Sequence, residues 1–514
     1  MQHQYDVVII GGAFSGSSTA LLLKRARPET KILIVERAIE YDRKVGESVS
    51  EVAGCFLTRV LRLSHYLDHH HLNKHGLRMW FTRDGNESIA NCSEIGAYYQ
   101  TRLPAYQIDR SLLDQHIFDL AVEAGCVAWR PAKVGEIQLN GKEGQTLEIK
   151  VGDETRTVTA KWVIDASGKA TTLARKLGHW RKLESHPTNS LWGRFRNVAD
   201  MDGYEFTKDH PEFMNAVRSA RGRATNHLMG RGWWCWIIPL PNGDVSLGLT
   251  YDRRIMEAPE GADIPDKLLN HVRKHPMGKA LFDKAEPVAH DARSYSHLPY
   301  YTEQAIGEGW ACVGDAAGFM DPLYSQGLDY CGHTSYAVHK LVLKALDGKE
   351  MTEDLAAYNQ LFRDSYHRWY QSIYHNKYQY LGDAELMNAA FLLDLGSYFI
   401  GPVRSVYETT DREFSLLPFS GLAGKKFAKF MSLYNRRLAL IAKKRWEAGT
   451  YGSMNLNHRF LLKQGFAPDL KVWKLFRSGL WIWAKAEINA LFLPMPKEDA
   501  APMKAISAEQ SQPA

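Results

Sequence analysis

The tightest constraint on this chain is a glycine-rich turn set between a buried strand and a helix near its start. Asp6-Val7-Val8-Ile9-Ile10 is a largely apolar run that breaks at Gly11-Gly12-Ala13-Phe14-Ser15-Gly16. Ser17–Arg25 then carries helical spacing, with Ala20, Leu21 and Leu23 as core positions. A second apolar run, Lys31-Ile32-Leu33-Ile34-Val35, ends in Glu36, 20 residues after Gly16. A strand–turn–helix–strand unit closing on an acid at that distance is the pattern of a dinucleotide-binding βαβ unit. Its glycines bring the backbone close to a pyrophosphate, the helix N-terminus receives the charge, and the acid takes a ribose hydroxyl. The ligand-binding residues read from this unit are Gly11, Gly12, Ala13, Ser15, Gly16 and Glu36. Ala13 stands where the pattern has its middle glycine, a departure of one methyl group.

Two later stretches repeat the theme of a strand that stops at a turn. Trp162-Val163-Ile164-Asp165-Ala166-Ser167-Gly168 is an apolar strand ending in Asp165 and Gly168, the form of a second dinucleotide half. Ala311-Cys312-Val313 ends at Gly314-Asp315, which offers one carboxylate for a ribityl hydroxyl. The segment continues as Phe319-x-x-Pro322-x-x-Ser325-x-Gly327, a kinked, amide-rich turn. In it Pro322 fixes φ and Gly327 permits a conformation that other residues avoid. Between these stretches lie Gly46-Glu47-Ser48, Asn73-Lys74-His75-Gly76, and Tyr106–Arg110 at a helix start. For Arg110, a place at a cofactor edge and a surface capping role both stand open.

Residues 133–162 alternate with turns and read as a β-meander, and 185–300 are rich in strand signals around Trp233-Trp234-Cys235-Trp236. Beyond Leu328 the pattern turns helical and aromatic; Tyr366, Trp369, Tyr370, Tyr374, Tyr378 and Tyr380 read as a packing stripe. His69, His70 and His71 are consecutive and cannot converge from one helix face, so they read as a solvated helix end with no metal. Lys471–Leu493 mixes tryptophans with basic residues, and peripheral contact with a membrane and docking on the protein itself both fit it.

Length and charge bound the function. The chain has 514 residues, enough for two to four domains, and a net charge of +6. That charge is too dilute to indicate nucleic-acid binding. Six cysteines without a CxxC pair predict reduced, buried thiols in a cytoplasmic protein. The first strand begins by Tyr5, leaving no room for a signal peptide, and no uninterrupted apolar run approaches the ~20 residues of a membrane span.

The expected fold is α/β: a Rossmann-like FAD-binding domain of the hydroxylase and glutathione-reductase type, an inserted antiparallel β-sheet substrate domain, and a C-terminal helical region. Its expected parts are 1–80, 106–184 and 301–345 for the FAD-binding domain, and 81–105 and 185–300 for the substrate domain. A helical region over 346–495 and a disordered tail over 496–514 complete it.

Over about residues 1–345 the chain resembles flavin-dependent halogenases, phenol- or pyrrole-type rather than tryptophan-type, within the superfamily shared with aromatic hydroxylases. The resemblance rests on the βαβ turn, Gly46-Glu47-Ser48, Lys74, Tyr106–Arg110 and Asp165-Ala166-Ser167-Gly168. It rests also on Trp234-x-Trp236-x-Ile238-Pro239 and Phe319-x-x-Pro322-x-x-Ser325-x-Gly327, two patterns diagnostic of that family. It implies FAD held by the glycine turn, Glu36, Glu47, Ser48, Arg110, Asp165, Gly168, Gly314, Asp315, Pro322 and Gly327. It further implies that reduced FAD and O2 oxidise halide near Ser325, Gln326 and Gly327, and that the hypohalous acid meets Lys74 before an electron-rich aromatic ring. Trp234 and Trp236 would screen the flavin from the substrate. Ser325-Gln326-Gly327-Leu328-Asp329 departs from the small apolar continuation of the family, Asp329 adding a carboxylate beside the halide. A separate flavin reductase and a free or carrier-protein-bound aromatic substrate are the implied partners. A flavin monooxygenase or dehydrogenase on a hydrophobic aromatic or polyene metabolite is the alternative enzyme. A non-catalytic flavin-binding or membrane-docking protein is the third reading.

Overall fold

A computed structural model describes residues 3–98, 102–215, 220–408, 414–463 and 468–494, so the tail 496–514 lies outside the described residues. The first strand, His3–Ile10, pairs in parallel with Ile32–Val35 on one side and with Glu154–Asp165 on the other. Trp310–Cys312 extends the parallel set beyond Asp165, and Val127–Trp129 extends it beyond Val35. Val7–Ile10 and Ile32–Val35 are buried on both faces, which is why they read as continuous apolar runs instead of alternating ones. The helix Phe14–Ala26 lies against the helices Arg110–Glu123 and Gly327–Leu346. The carboxyl ends of three parallel strands therefore deliver Gly11, Ala166 and Val313 to one crevice, the place where open α/β sheets bind ligands.

A nine-stranded sheet carries the rest of the strand-rich sequence, with Thr188–Arg196, Val245–Asp252, Trp233–Pro239 and Thr225–Gly230 as antiparallel neighbours. It is not wholly antiparallel as the sequence suggested. Thr225–Gly230 runs parallel to Leu77–Phe81, and Arg459–Leu462 runs parallel to Ser93–Ala97. Both pairings join strands far apart in sequence, where no hairpin imposes an antiparallel sense. Alternation sorts the side chains of Trp233–Pro239 onto two faces. Trp234 and Trp236 join the core shared with the first sheet, whereas Cys235 and Ile237 join Leu247, Leu249 and Phe282 in a second core.

Arg194 ties the two sheets. Its guanidinium donates to Glu47 at 2.7 and 3.0 Å and to Asp109 at 2.8 Å, with all three side chains buried. Arg194→Met leaves two buried carboxylates without a cation and lowers stability by about 3–5 kcal/mol at neutral pH. Thermal denaturation reads the loss. Burial already pushes the Glu47 carboxyl up to about 7 against the pull of Arg194. The loss should therefore shrink as pH falls below neutrality and Glu47 takes a proton; a pH-independent loss refutes the assignment.

The C-terminal region is helical: Thr352–Trp369, Ala384–Tyr398, Gly421–Glu447 and Val472–Ala490. Ala384–Glu408 has the length and apolar composition of a membrane span, with an 18-residue part of mean hydropathy 1.3, but 72% of that part is buried inside the protein. Val472–Ala490 packs on it through two glycines. A Cβ at Gly479 would stand 2.8 Å from Leu393, and one at Gly396 2.8 Å from Phe476. Its outer face exposes Trp473, Trp481 and Ile488. His71 departs from the solvated reading: it is buried, and its Nδ1 accepts the Asp109 N–H at 3.3 Å. Among the described residues no group of histidine, cysteine and carboxylate side chains is arranged for a metal.

Candidate functional site

The glycine turn is held by backbone contacts too close for side chains. Gly11 has φ +98°, and a Cβ there would stand 2.5 Å from the Ala166 carbonyl oxygen. A Cβ at Gly16 would stand 1.9 Å from the Gly11 carbonyl oxygen. Ala13 caps the helix N-terminus at φ −73°, a conformation open to any residue, so its methyl brings no backbone strain. The Glu36 carboxylate accepts the Gly12 and Ala38 N–H groups, each at 2.8 Å, and so locks the turn to the end of the second strand.

Across the crevice Gly314 has φ +57°, and a Cβ there would meet Ser15 Oγ at 2.2 Å. Asp315 follows, half-buried. Burial pushes its carboxyl up to about 6, against the pull of Arg110, Lys169 and Lys44. Arg110 is held in place by two 3.0 Å bonds to Asp114 and one of 3.1 Å to the Val45 carbonyl. A turn that excludes Cβ atoms, an acid at the second strand end and a carboxylate facing three cations suit the pyrophosphate, ribose and ribityl parts of FAD.

Several expected ligands have other occupations. Asp165 is fully buried and accepts the Ser167 N–H at 2.9 Å and the Leu173 N–H at 2.6 Å; it shapes the turn and points no oxygen at a ligand. Glu47 belongs to the Arg194 cluster. Gly168 takes φ +63° in a short turn with open space around it. Gly327 is the first residue of the helix Gly327–Leu346, and a Cβ there would meet nothing closer than 4.0 Å. The left-handed residue of that segment is Ser325, at φ +60°. Pro322 accepts the Ser325 N–H on its carbonyl at 3.0 Å, which sets that turn.

Lys74 is reached through a short two-strand pairing of Leu72–Asn73 with Tyr106–Gln107, and its own N–H donates to the Ala105 carbonyl at 2.9 Å. Gly76, at φ +82°, then turns the chain into the strand Leu77–Phe81. The buried ammonium donates to Ser48 Oγ at 2.8 Å and to the Val49 carbonyl at 3.4 Å. Ser48 Oγ also bonds Ser325 Oγ at 3.0 Å and Thr225 Oγ1 at 2.8 Å. Lys74 and Ser325, remote in sequence, thus meet on one hydroxyl. Burial pulls the Lys74 amine down to about 8, against the pull of Glu51 and Asp329. Burial pushes Asp329 up to about 7, with its carboxylate accepting from Ser50 Oγ and from the Ala53 N–H at 3.0 Å.

Two cavities flank this point. The larger is lined by Lys74, Glu51, Tyr324, Phe391, Asp394 and Tyr398 among mainly apolar neighbours. The smaller is lined by Asp315, Phe319, Met320, Asp321, Gly327 and Tyr374. Gln326 and Trp369 border both. The Gln326 amide oxygen accepts from Trp369 Nε1 and from the Tyr374 hydroxyl, so the side chain is a fixture of the partition and not a loose anion ligand. Trp234 and Trp236 line neither cavity. Trp234 Nε1 donates to the Tyr378 hydroxyl at 2.9 Å, and that hydroxyl donates to Asp321 at 2.7 Å. The pair therefore stands behind the smaller cavity and reaches it through Tyr378. Of the aromatic stripe read from sequence as packing, Trp369 and Tyr374 face the cavities. Spacing alone does not separate a wall residue from a core residue on the same stripe.

A family model described as tryptophan halogenase matches residues 84–379. A flavin-dependent halogenase of Dictyostelium discoideum is 24% identical over 474 residues, covering 80% of this chain and 74% of that one. The 1H-pyrrole-2-carbonyl-(peptidyl-carrier protein) brominase of Pseudoalteromonas luteoviolacea is 26% identical over 358 residues, covering 69% and 81%. The crystal structure of halogenase PltM in complex with phloroglucinol and FAD shares the fold at a TM-score of 0.73 and 18% identity, covering 95% of this chain and 97% of that one.

Proposed function

The chain belongs to the tryptophan halogenase family of FAD-dependent enzymes, and on that premise we propose that it passes an oxidised halogen through Lys74 to an electron-rich phenolic or pyrrolic ring. The observation that carries this reading is the placement of Lys74. Its desolvated amine lines the larger cavity and shares Ser48 with Ser325, whose neighbour Gln326 borders both cavities. FAD, when bound in its reduced form, supplies with O2 the two-electron oxidation that turns halide into hypohalous acid. Gly11, Gly16 and Glu36 hold its nucleotide end and Asp315 its ribityl chain. The first turn of the helix Gly327–Leu346 leaves backbone N–H groups without intrahelical acceptors, and these receive the halide.

The neutral Lys74 amine then attacks the halogen of hypohalous acid, forming an N–X bond and releasing water. The arene takes the halogen from nitrogen, loses a proton, and regenerates the amine. Glu51 and Asp329 stand near enough to bias the amine and to accept protons as it turns over. A free amine is the reacting form, so halogenation should rise with pH and level off above about 8, the value to which burial brings Lys74. O2 consumption measured in parallel should not follow that curve. A halogenation rate that falls through the same range rejects the amine route.

A separate flavin reductase supplies the reduced FAD, because the sequence after Asp165 holds no second GxGxxG turn for a nicotinamide nucleotide. A carrier-bound pyrrole remains one form of substrate, on the precedent of the brominase relative. Six buried cysteines, none in a disulfide, support a reducing, cytoplasmic setting. The outer face of Val472–Ala490 places Trp473, Trp481 and Ile488 beside Lys474, Arg477 and Lys485, while its one acid, Glu487, is turned to Arg437. That face suits transient contact with an anionic membrane surface. The function is tested by incubating the protein with a flavin reductase, NADH, FAD, O2, bromide and an activated phenol. A brominated product mass that requires all of them is expected, and oxygenated product without bromine transfers the protein to the monooxygenase reading.

A further inference from the structure

The larger cavity is mainly apolar in lining; besides the polar residues Ser50, Glu51, Lys74 and Gln326 it carries a further polar group, Asp394 and Tyr324. That second group is built, not incidental. Asp394 Oδ2 accepts from the Tyr324 hydroxyl at 2.9 Å and from Lys377 Nζ at 2.5 Å, and Oδ1 accepts from the Tyr434 hydroxyl. Asp394, Lys377 and Tyr434 are all buried, and they come from three separate helical segments. A carboxylate has about four lone-pair sites, and three are filled here. The protons of Tyr324 and Tyr434 are both committed to it. Burial and the adjacent Asp394 carboxylate hold the Tyr324 proton firmly in place. What this group offers a ligand is therefore oxygen lone pairs, on Tyr324 and on Asp394 Oδ1. Every buried polar group needs a partner, so the ligand group that fits is one that donates.

We propose that Tyr324 and Asp394 form an acceptor-only subsite that selects aromatic substrates carrying a hydroxyl or N–H group and anchors that group in the cavity that Lys74 also lines. The proposal rests on the cavity being the arene site. Trp369, Phe391 and Phe399 supply flat apolar wall to the same cavity. An anchored donor fixes which ring carbon faces Lys74, so the subsite sets position as well as affinity. An aryl ether presents only an acceptor to Tyr324 and leaves both oxygens facing each other unpaired, which a site built on hydrogen bonds penalises more than lost apolar contact.

Equilibrium binding tests the subsite independently of turnover. Phloroglucinol and its trimethyl ether are titrated, by calorimetry, into the FAD-loaded protein, wild type and Tyr324→Phe. The wild type should bind the phenol at least about tenfold more tightly than the ether, the worth of one well-placed hydrogen bond. Tyr324→Phe should lose most of that preference, with circular dichroism unchanged. Failure of phloroglucinol to bind wild type, equal binding of phenol and ether, or full preference kept by Tyr324→Phe, overturns the subsite. Selective binding without brominated product overturns the halogenation reading and leaves the subsite standing. Bromination of the phenol without preference does the reverse.

Discussion

Lys74→Ala is expected to lower arene halogenation by about 10³-fold or more, on the order of 4 kcal/mol of barrier, while FAD binding and O2 consumption stay at wild-type levels. The amine donates to Ser48 Oγ and the Val49 carbonyl and touches neither the glycine turn, Glu36 nor Asp315. Its removal leaves the glycine turn, Glu36 and Asp315 untouched. Oxidised halogen should then escape, so a diffusible trap such as monochlorodimedone should be halogenated in place of the bound arene. Lys74→Arg should not rescue the activity, because a guanidinium stays protonated and cannot act as the attacking amine. Near-full halogenation of a bound phenol by Lys74→Ala reduces the lysine to a buried hydrogen-bond donor. The same result moves the halogen-transfer step to free hypohalous acid in the cavity.

Gly16→Val is expected to abolish FAD retention. The clash is with backbone: a Cβ at Gly16 would stand 1.9 Å from the Gly11 carbonyl oxygen, and that residue itself passes close to Ala166. Relief requires the helix Phe14–Ala26 to slide from the strand His3–Ile10, which opens the turn where the pyrophosphate would lie. Affinity for FAD should fall by at least about a hundredfold, since the lost contacts are charge-assisted and several at once. Flavin absorbance after gel filtration reads the outcome, and circular dichroism checks the fold. Full flavin occupancy in Gly16→Val contradicts the placement of the nucleotide at this turn.

The sequence-to-structure correspondence is uneven, for physical reasons. Glycine turns are legible because a Cβ has no room there, so the residue type records the contact. Lys74 was legible through its neighbours Asn73 and Gly76 and through a family pattern. Its low-pKa environment was not, because Glu51 and Asp329 converge on it only in three dimensions. Glu47 was read as a ligand, and its ion-pair partner Arg194, 147 residues away, left no local sign in the sequence. Strain was assigned to Gly327 by residue type, whereas the chain bends at Ser325, where the Pro322 carbonyl closes a turn that Ser48 then braces. Asp394 left no trace in sequence. It is an acid in a largely apolar helix, and its value lies in Tyr324, Lys377 and Tyr434, none of them adjacent in the chain.

Arg459–Leu462 adds the last strand to the nine-stranded sheet, alongside a strand roughly 365 residues earlier in the chain, and Leu462 lines the larger cavity. During synthesis the ribosome therefore releases every residue expected to hold flavin, and Lys74 itself, well before the substrate chamber can close. Closure of the chamber that Lys74 lines is therefore a late event in the making of this chain, since it waits for a residue 388 positions downstream of the lysine.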